Sequence, residues 1–179
     1  LDQEAHALNI SDYALDKQIG QLIHSYEWKI NENEMMLSYD LPEVRISGDE
    51  TMLSYDLPEV RISGDETMLN MVWDNLISNA LKYNSEAGNI DISLSEHHGL
   101  VTVKISDTGI GLTDEENKHI FDRFYRVDSS RTSSVKGSGL GLSIVHEIIQ
   151  RHDGTVKVES EIKKGTTFIV ELPKNHKKI

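Results

Sequence analysis

The sequence predicts a mixed α/β fold, on three observations: apolar residues at helical spacing in three stretches, two period-two hairpins, and a long polar segment between them. Leu15, Ile19, Leu22, Ile23, Tyr26 and Ile30 set out a first helix from Leu15 to about Asn33, weakened by Gly20. Residues 36–51 read MLSYDLPEVRISGDET, and residues 52–67 repeat the same sixteen letters. A solenoid needs more copies that diverge, so this single perfect repeat is a recent tandem duplication, or an engineered or assembly-level feature. In each copy Leu37, Tyr39, Leu41 or Leu53, Tyr55, Leu57 alternate, predicting a strand ended by Pro42 or Pro58. A second helix follows from about Glu66 to Tyr83. Ile90, Ile92 and Leu94, then His98-Gly99, then Val101, Val103 and Ile105 make a hairpin. The stretch from Asp107 to Gly137 is weakly periodic, with one short helix after Thr113-Asp114, and reads as a long functional loop. Ser138 to His152 returns to helix, with Ile144, Val145, Ile148 and Ile149 inward and Gly154 as its stop. Val156–Ser160 and Thr166–Leu172 form the closing hairpin.

At 179 residues the chain holds one domain, or one plus a small appendage. A net charge of −12 repels a phosphate backbone and argues against nucleic-acid binding. Zero cysteines exclude a disulfide framework, a thiolate nucleophile and a Cys-ligated zinc site, and they fit a reducing compartment. No apolar run approaches the ~20 residues of a membrane helix, so the segment is expected not to be membrane-inserted.

Three clusters suggest chemistry. Asn75, Asn79 and Lys82 project from one face of the second helix, opposite Leu69, Val72, Leu76 and Ala80. A carboxamide oxygen is a hard neutral ligand for Mg²⁺, and a Lys one turn on is a point charge for phosphate; the plain alternative is a solvated polar face. Asp107-Thr-Gly109-Ile-Gly111-Leu112 lies where a strand ends: two glycines allow a tight turn against a ligand, and the Asp accepts from an exocyclic amine, unless this is an ordinary Asx turn. Gly137-Ser-Gly139-Leu-Gly141-Leu142-Ser143 runs into a helix, whose N-terminal N–H groups suit an anion. The spacing is neither the dinucleotide fingerprint nor a P-loop. His146-Glu147 begins H-E-x-x-H, but Gln150 ends that zinc reading.

In order, these segments resemble the ATP-binding catalytic domain of sensor histidine kinases, within the wider ATPase group of gyrase, Hsp90 and MutL. The N box corresponds to Asp74–Asn84, the first G box to Asp107–Leu112, the F box to Phe121-Asp-Arg123-Phe124-Tyr125-Arg126 and the second G box to Gly137–Leu142. Gly165-Thr166-Thr167-Phe168 matches a last, less specific element. The resemblance implies a two-layer α/β sandwich, an α+β Bergerat fold, in which a mixed sheet bears about three helices on one face and a mobile lid covers ATP. It places the domain at 10–175, with the lid at 112–138, a tail at 176–179, and 1–9 as the stub of a preceding dimerisation helix.

By the same resemblance, Asn79 is the Mg²⁺ ligand, Lys82 sits on the phosphates and Tyr83 near the nucleoside. Asp107 selects adenine, Gly109, Ile110, Gly111 and Thr166 shape its pocket, Arg126 approaches the γ-phosphate, and Gly139, Leu140, Gly141 and Leu142 cap the phosphates. Phe121 and Phe124 anchor the lid. Asn75 stands where gyrase-type ATPases have a water-activating Glu; an amide is no base, which favours phosphotransfer over hydrolysis. The implied function is transfer of the γ-phosphoryl group of Mg²⁺-ATP to a His on a separate dimerisation domain, since none of the eight histidines has the phosphoacceptor context. The implied partners are that domain and a cognate response regulator, in the cytoplasm, with a membrane-anchored parent. A nucleotide-binding module without transfer, or a gyrase- or Hsp90-like ATPase, are the other readings. The family pattern needs one copy of the duplicated segment. The second copy, fused to the N-box helix, is expected in the native strand slot, leaving 36–51 as an added edge strand or as the exchanged arm of a strand-swapped dimer.

Overall fold

The computed structural model describes residues 7–32, 36–40, 59–84, 88–127 and 138–176. In chain order the elements are β1 (Ile10–Ala14), α1 (Leu15–Glu32), β2 (Met36–Asp40), β3 (Arg61–Asp65), α2 (Glu66–Lys82), β4 (Asn89–His97), β5 (Leu100–Asp107), α3 (Asp114–His119), α4 (Gly141–Arg151), β6 (Thr155–Glu161) and β7 (Gly165–Pro173). Five strands form a mixed sheet in the order β2-β4-β5-β7-β6, in which β2 runs parallel to β4 and the other pairs are antiparallel. The period-two pattern explains its one-sided burial. Ile90, Ile92 and Leu94 are buried on β4 and Val101, Val103 and Ile105 on β5, with Phe168, Val170 and Leu172 on β7. Against them pack Ile19 and Ile23 of α1, Leu69, Val72, Trp73, Leu76 and Ile77 of α2, and Val145 and Ile149 of α4, in one core. This is the two-layer sandwich with three helices on one face.

The His98-Gly99 pair turns the β4–β5 hairpin with φ of +51° and +77°, as a two-residue loop requires. Asp65 caps α2 by accepting from Met68 N–H at 3.0 Å. Thr113 and Glu116 form a capping box on α3. The last helix starts at Gly141, three residues later than its apolar pattern suggests, because Gly139 has φ +73° and cannot continue a helix.

The duplicated segment departs from expectation. Its second copy does not take the strand slot as a unit: the strand beside β4 is Met36–Asp40, from the first copy, while the second copy supplies β3, which pairs with β1 in a separate two-stranded sheet. Connectivity acts at both ends. Only residues 33–35 separate α1 from β2, and β3 leads directly into α2, so each end of the duplication is held by the helix it joins. Leu53, Tyr55 and Leu57 fall within 41–58, outside the described residues, as does any strand exchange that would draw on them. The strand β1 had no clear period-two signal, and the structure places it as the partner of β3.

Candidate functional site

The C-terminal half of α2, the β5–α3 loop and the start of α4 enclose an open cleft of about 170 Å³. Asn75, Asn79 and Lys82 line it from one helix face, because positions three and four apart stack on a helix, and Tyr83 follows at its C-cap. The opposite face buries Leu69, Val72, Leu76 and Ala80, which fixes the helix rotation. Asn75 donates from its amide to Met71 O at 2.8 Å, and its Oδ1 lies 2.6 Å from where a Cβ on Gly141 would sit. Any larger residue at position 141 would push Asn75 away.

Asp107, Ile110 and Gly111 line the cleft from the end of β5. Gly109 N–H donates to Asp107 Oδ1 at 2.8 Å, and Ile110 N–H to Tyr83 O at 3.1 Å, joining this loop to the end of α2. Burial pushes the Asp107 carboxyl up to about 6, against the opposing pull of backbone donors from Gly109 and Thr166. Thr166 and Phe168 complete this side from β7.

From the polar segment, Tyr125, Arg126 and Val127 reach the cleft, and Ser138, Gly139, Gly141 and Leu142 close it at α4. Residues 128–137 lie outside the described residues. Of the two residues read as lid anchors, Phe121 packs edge-on against Phe168, centroids 6.3 Å apart, and beside His146 at 5.6 Å. Phe124 is 72% exposed, has φ of +64°, and donates its N–H to Gly139 O at 2.9 Å.

Most of the residues singled out in the sequence therefore meet in one cleft. Gly109 and Leu140 do not line it; Gly109 acts through its bond to Asp107, and Leu140 is the N-cap of α4. Leu112, Ile120, Tyr125, Val127, Ser138 and Phe168 line it without having been singled out as site residues. Leu112, Tyr125, Ser138 and Phe168 sit inside the matched motifs, whereas Ile120 and Val127 had no signal beyond being apolar.

Residues 64–176 match the family described as histidine kinase-, DNA gyrase B-, and HSP90-like ATPase. The chain is 42% identical over 99 residues to the sensor histidine kinase RppB of Synechocystis, covering 55% of this chain and 22% of that protein. It is 45% identical over 105 residues to the sensor protein SrrB of Staphylococcus aureus, covering 59% and 18%. The match thus spans about a fifth of each of these relatives. The nucleotide-free catalytic domain of histidine kinase ThkA superposes with a TM-score of 0.74 at 26% identity, over 93% of this chain and 97% of that one. A structure of ThkA with the response regulator protein TrrA aligns at 0.72 and 25% identity, over 96% and 43%. With the family's match covering more than half its length and its fold that of a histidine kinase catalytic domain, this chain belongs to the histidine kinase-, gyrase B- and HSP90-like ATPase family.

Proposed function

We propose that the cleft binds Mg²⁺-ATP and delivers its γ-phosphoryl group to a His on a separate dimerisation domain of a sensor histidine kinase. The observation that supports this most is the convergence of Asn75, Asn79 and Lys82 on one cleft with Asp107 and the glycine-bearing start of α4. In this reading Asn79 offers Mg²⁺ a hard, neutral oxygen. Among the described residues no group of three or more His, Cys, Asp or Glu could hold a metal. Asn79 would hold an ion that arrives with the ATP phosphates. Bound there, Mg²⁺ supplies neutralisation of phosphate charge.

Lys82 adds a point charge on the phosphates and Arg126 approaches the γ-phosphate. The backbone from Gly139 to Leu142 caps the phosphates with N–H groups at a helix start. Tyr83 lies along the nucleoside, and Asp107 accepts from the base amine, in a pocket shaped by Gly109, Ile110, Gly111 and Thr166. Asn75, an amide engaged with Met71 O, activates no water, which favours an external acceptor. Catalysis is then positioning and charge stabilisation. The acceptor His belongs to the parent's own dimerisation domain, and a response regulator takes the phosphoryl group onward, a reading supported by the ThkA–TrrA complex. The parent is anchored to the membrane with this domain in the cytoplasm; no helix among the described residues is long and apolar enough to cross a membrane.

Transfer from γ-labelled ATP to an added dimerisation domain tests the reaction. Asn79→Ala tests the site: it should abolish Mg²⁺-dependent ATP binding in calorimetry and leave the melting curve unchanged, since the side chain is on the polar face of α2. Unaltered affinity and metal dependence would refute the assignment.

A further inference from the structure

Ser160, on β6, meets three polar groups at once. Its Oγ lies 2.8 Å from Gly165 O, 2.9 Å from Leu112 N and 2.8 Å from Thr166 Oγ1. A serine hydroxyl has one proton and two lone pairs. A carbonyl only accepts, so the Ser160 proton goes to Gly165 O. Leu112 N–H donates to Ser160 Oγ, and the contact with Thr166 must then be donated by Thr166. The Thr166 hydroxyl proton is thereby directed at Ser160, and lone pairs are all that its oxygen keeps. Thr166 lines the cleft beside Asp107, whose ionised carboxylate also accepts only. The polar end of the cleft formed by these two residues is therefore made of acceptors.

We propose that Ser160 is a positioning residue for base selection: by holding the Thr166 hydroxyl as an acceptor, it makes this end take a ring with an exocyclic amine and reject one with a carbonyl there. The proposal rests on the reading that this end of the cleft holds the base of ATP. Ser160 itself does not line the cleft among the described residues and acts through Thr166.

Calorimetry on the whole chain with ATP and with inosine triphosphate tests it, because the two differ at the ring position where an amine becomes a carbonyl. The unaltered chain should prefer ATP. Ser160→Ala leaves the Thr166 hydroxyl without its acceptor and free to donate to a carbonyl, so the ATP-over-inosine preference should narrow by about fivefold or more. Ser160→Thr, which keeps the hydroxyl, should restore it. A merely structural role would weaken both nucleotides alike, so an unchanged ratio overturns the proposal. Should Ser160→Ala fail to fold, Ser160→Cys, a poorer acceptor, must narrow the ratio in the same direction, and an unchanged ratio there overturns it equally. If the unaltered chain binds neither nucleotide, the ATP reading falls and this proposal with it; if it prefers ATP and the variants do too by the same factor, only the role of Ser160 falls.

Discussion

Burial raises the Asp107 carboxyl to about 6, although two backbone N–H groups pull it down. In the proposed site a base amine would stabilise the ionised acceptor, and a proton would compete with that amine for the same oxygen. ATP affinity is therefore expected to hold above pH 7 and to weaken as pH falls through about 6, approaching tenfold per unit below it. Asp107→Asn should remove this dependence. Its Oδ1 would still accept from Gly109 N–H, which turns the amide nitrogen toward the base as a donor facing a donor, at a loss of about 5–150-fold in ATP affinity. The same change should stabilise the unliganded fold at neutral pH. A carboxyl with folded pKa near 6 and an ordinary value of 3.8 contributes stability at low pH that is lost as pH rises between those values, and an amide does not titrate. Calorimetric titrations and melting curves from about pH 5 to 8 check both effects.

Between elements, the C-terminus of α4 is fastened to the start of α2 through one side chain. His152 accepts from Asp65 N–H at 3.0 Å through Nε2, and its Nδ1–H donates to Ile148 O at 2.8 Å. Burial lowers its pKa and the nearby His176 and Arg151 add to that, while the Ile148 carbonyl and Asp65 oppose it. A depressed folded pKa means the unfolded chain takes up the proton first, so this contribution is complete above about 6.5 and is lost as pH falls below it. The chain should lose stability on acidification relative to His152→Gln, as read from urea midpoints at pH 7.5 and below. Asp65→Ala should cost about 1–2 kcal/mol at pH 7.5, through loss of the α2 cap. The elements most legible in the sequence share one property: a local pattern decides them. The β4–β5 hairpin follows from alternation and a Gly turn, α2 from its buried stripe, and α3 from the Thr113-Asp114 start signal. The start of α4 falls later than its apolar pattern predicts because the left-handed Gly139 lies within an otherwise helical pattern. The strand β1 carries no local signal because its pairing with β3 joins residues about fifty apart. Likewise, the motifs hold most of the residues that line the cleft, whereas the exposure of Phe124 and the node at Ser160 arise from contacts across the fold.

At the scale of the whole molecule, the length that the duplication adds lies between two strands that belong to different sheets, so it shifts the register of neither. The link from Asp40 to Arg61 contains residues 41–60, and without sixteen of them it would be a four-residue link. By chain length alone, a connection of twenty residues costs about 1.4 kcal/mol more to close than one of four. Deleting residues 41–56 should therefore raise stability by about that amount and leave ATP affinity unchanged, since no described residue of β1, α1, β2 or β3 lines the cleft. Melting curves and calorimetry on the shortened chain check this; a chain that no longer folds, or a changed affinity, would contradict it. The same join between sheets is a natural splice point for protein engineering. A reporter or tethering domain inserted between Asp40 and Arg61 would occupy a position where the polypeptide already carries sixteen duplicated residues, and the cleft would be left with its own geometry.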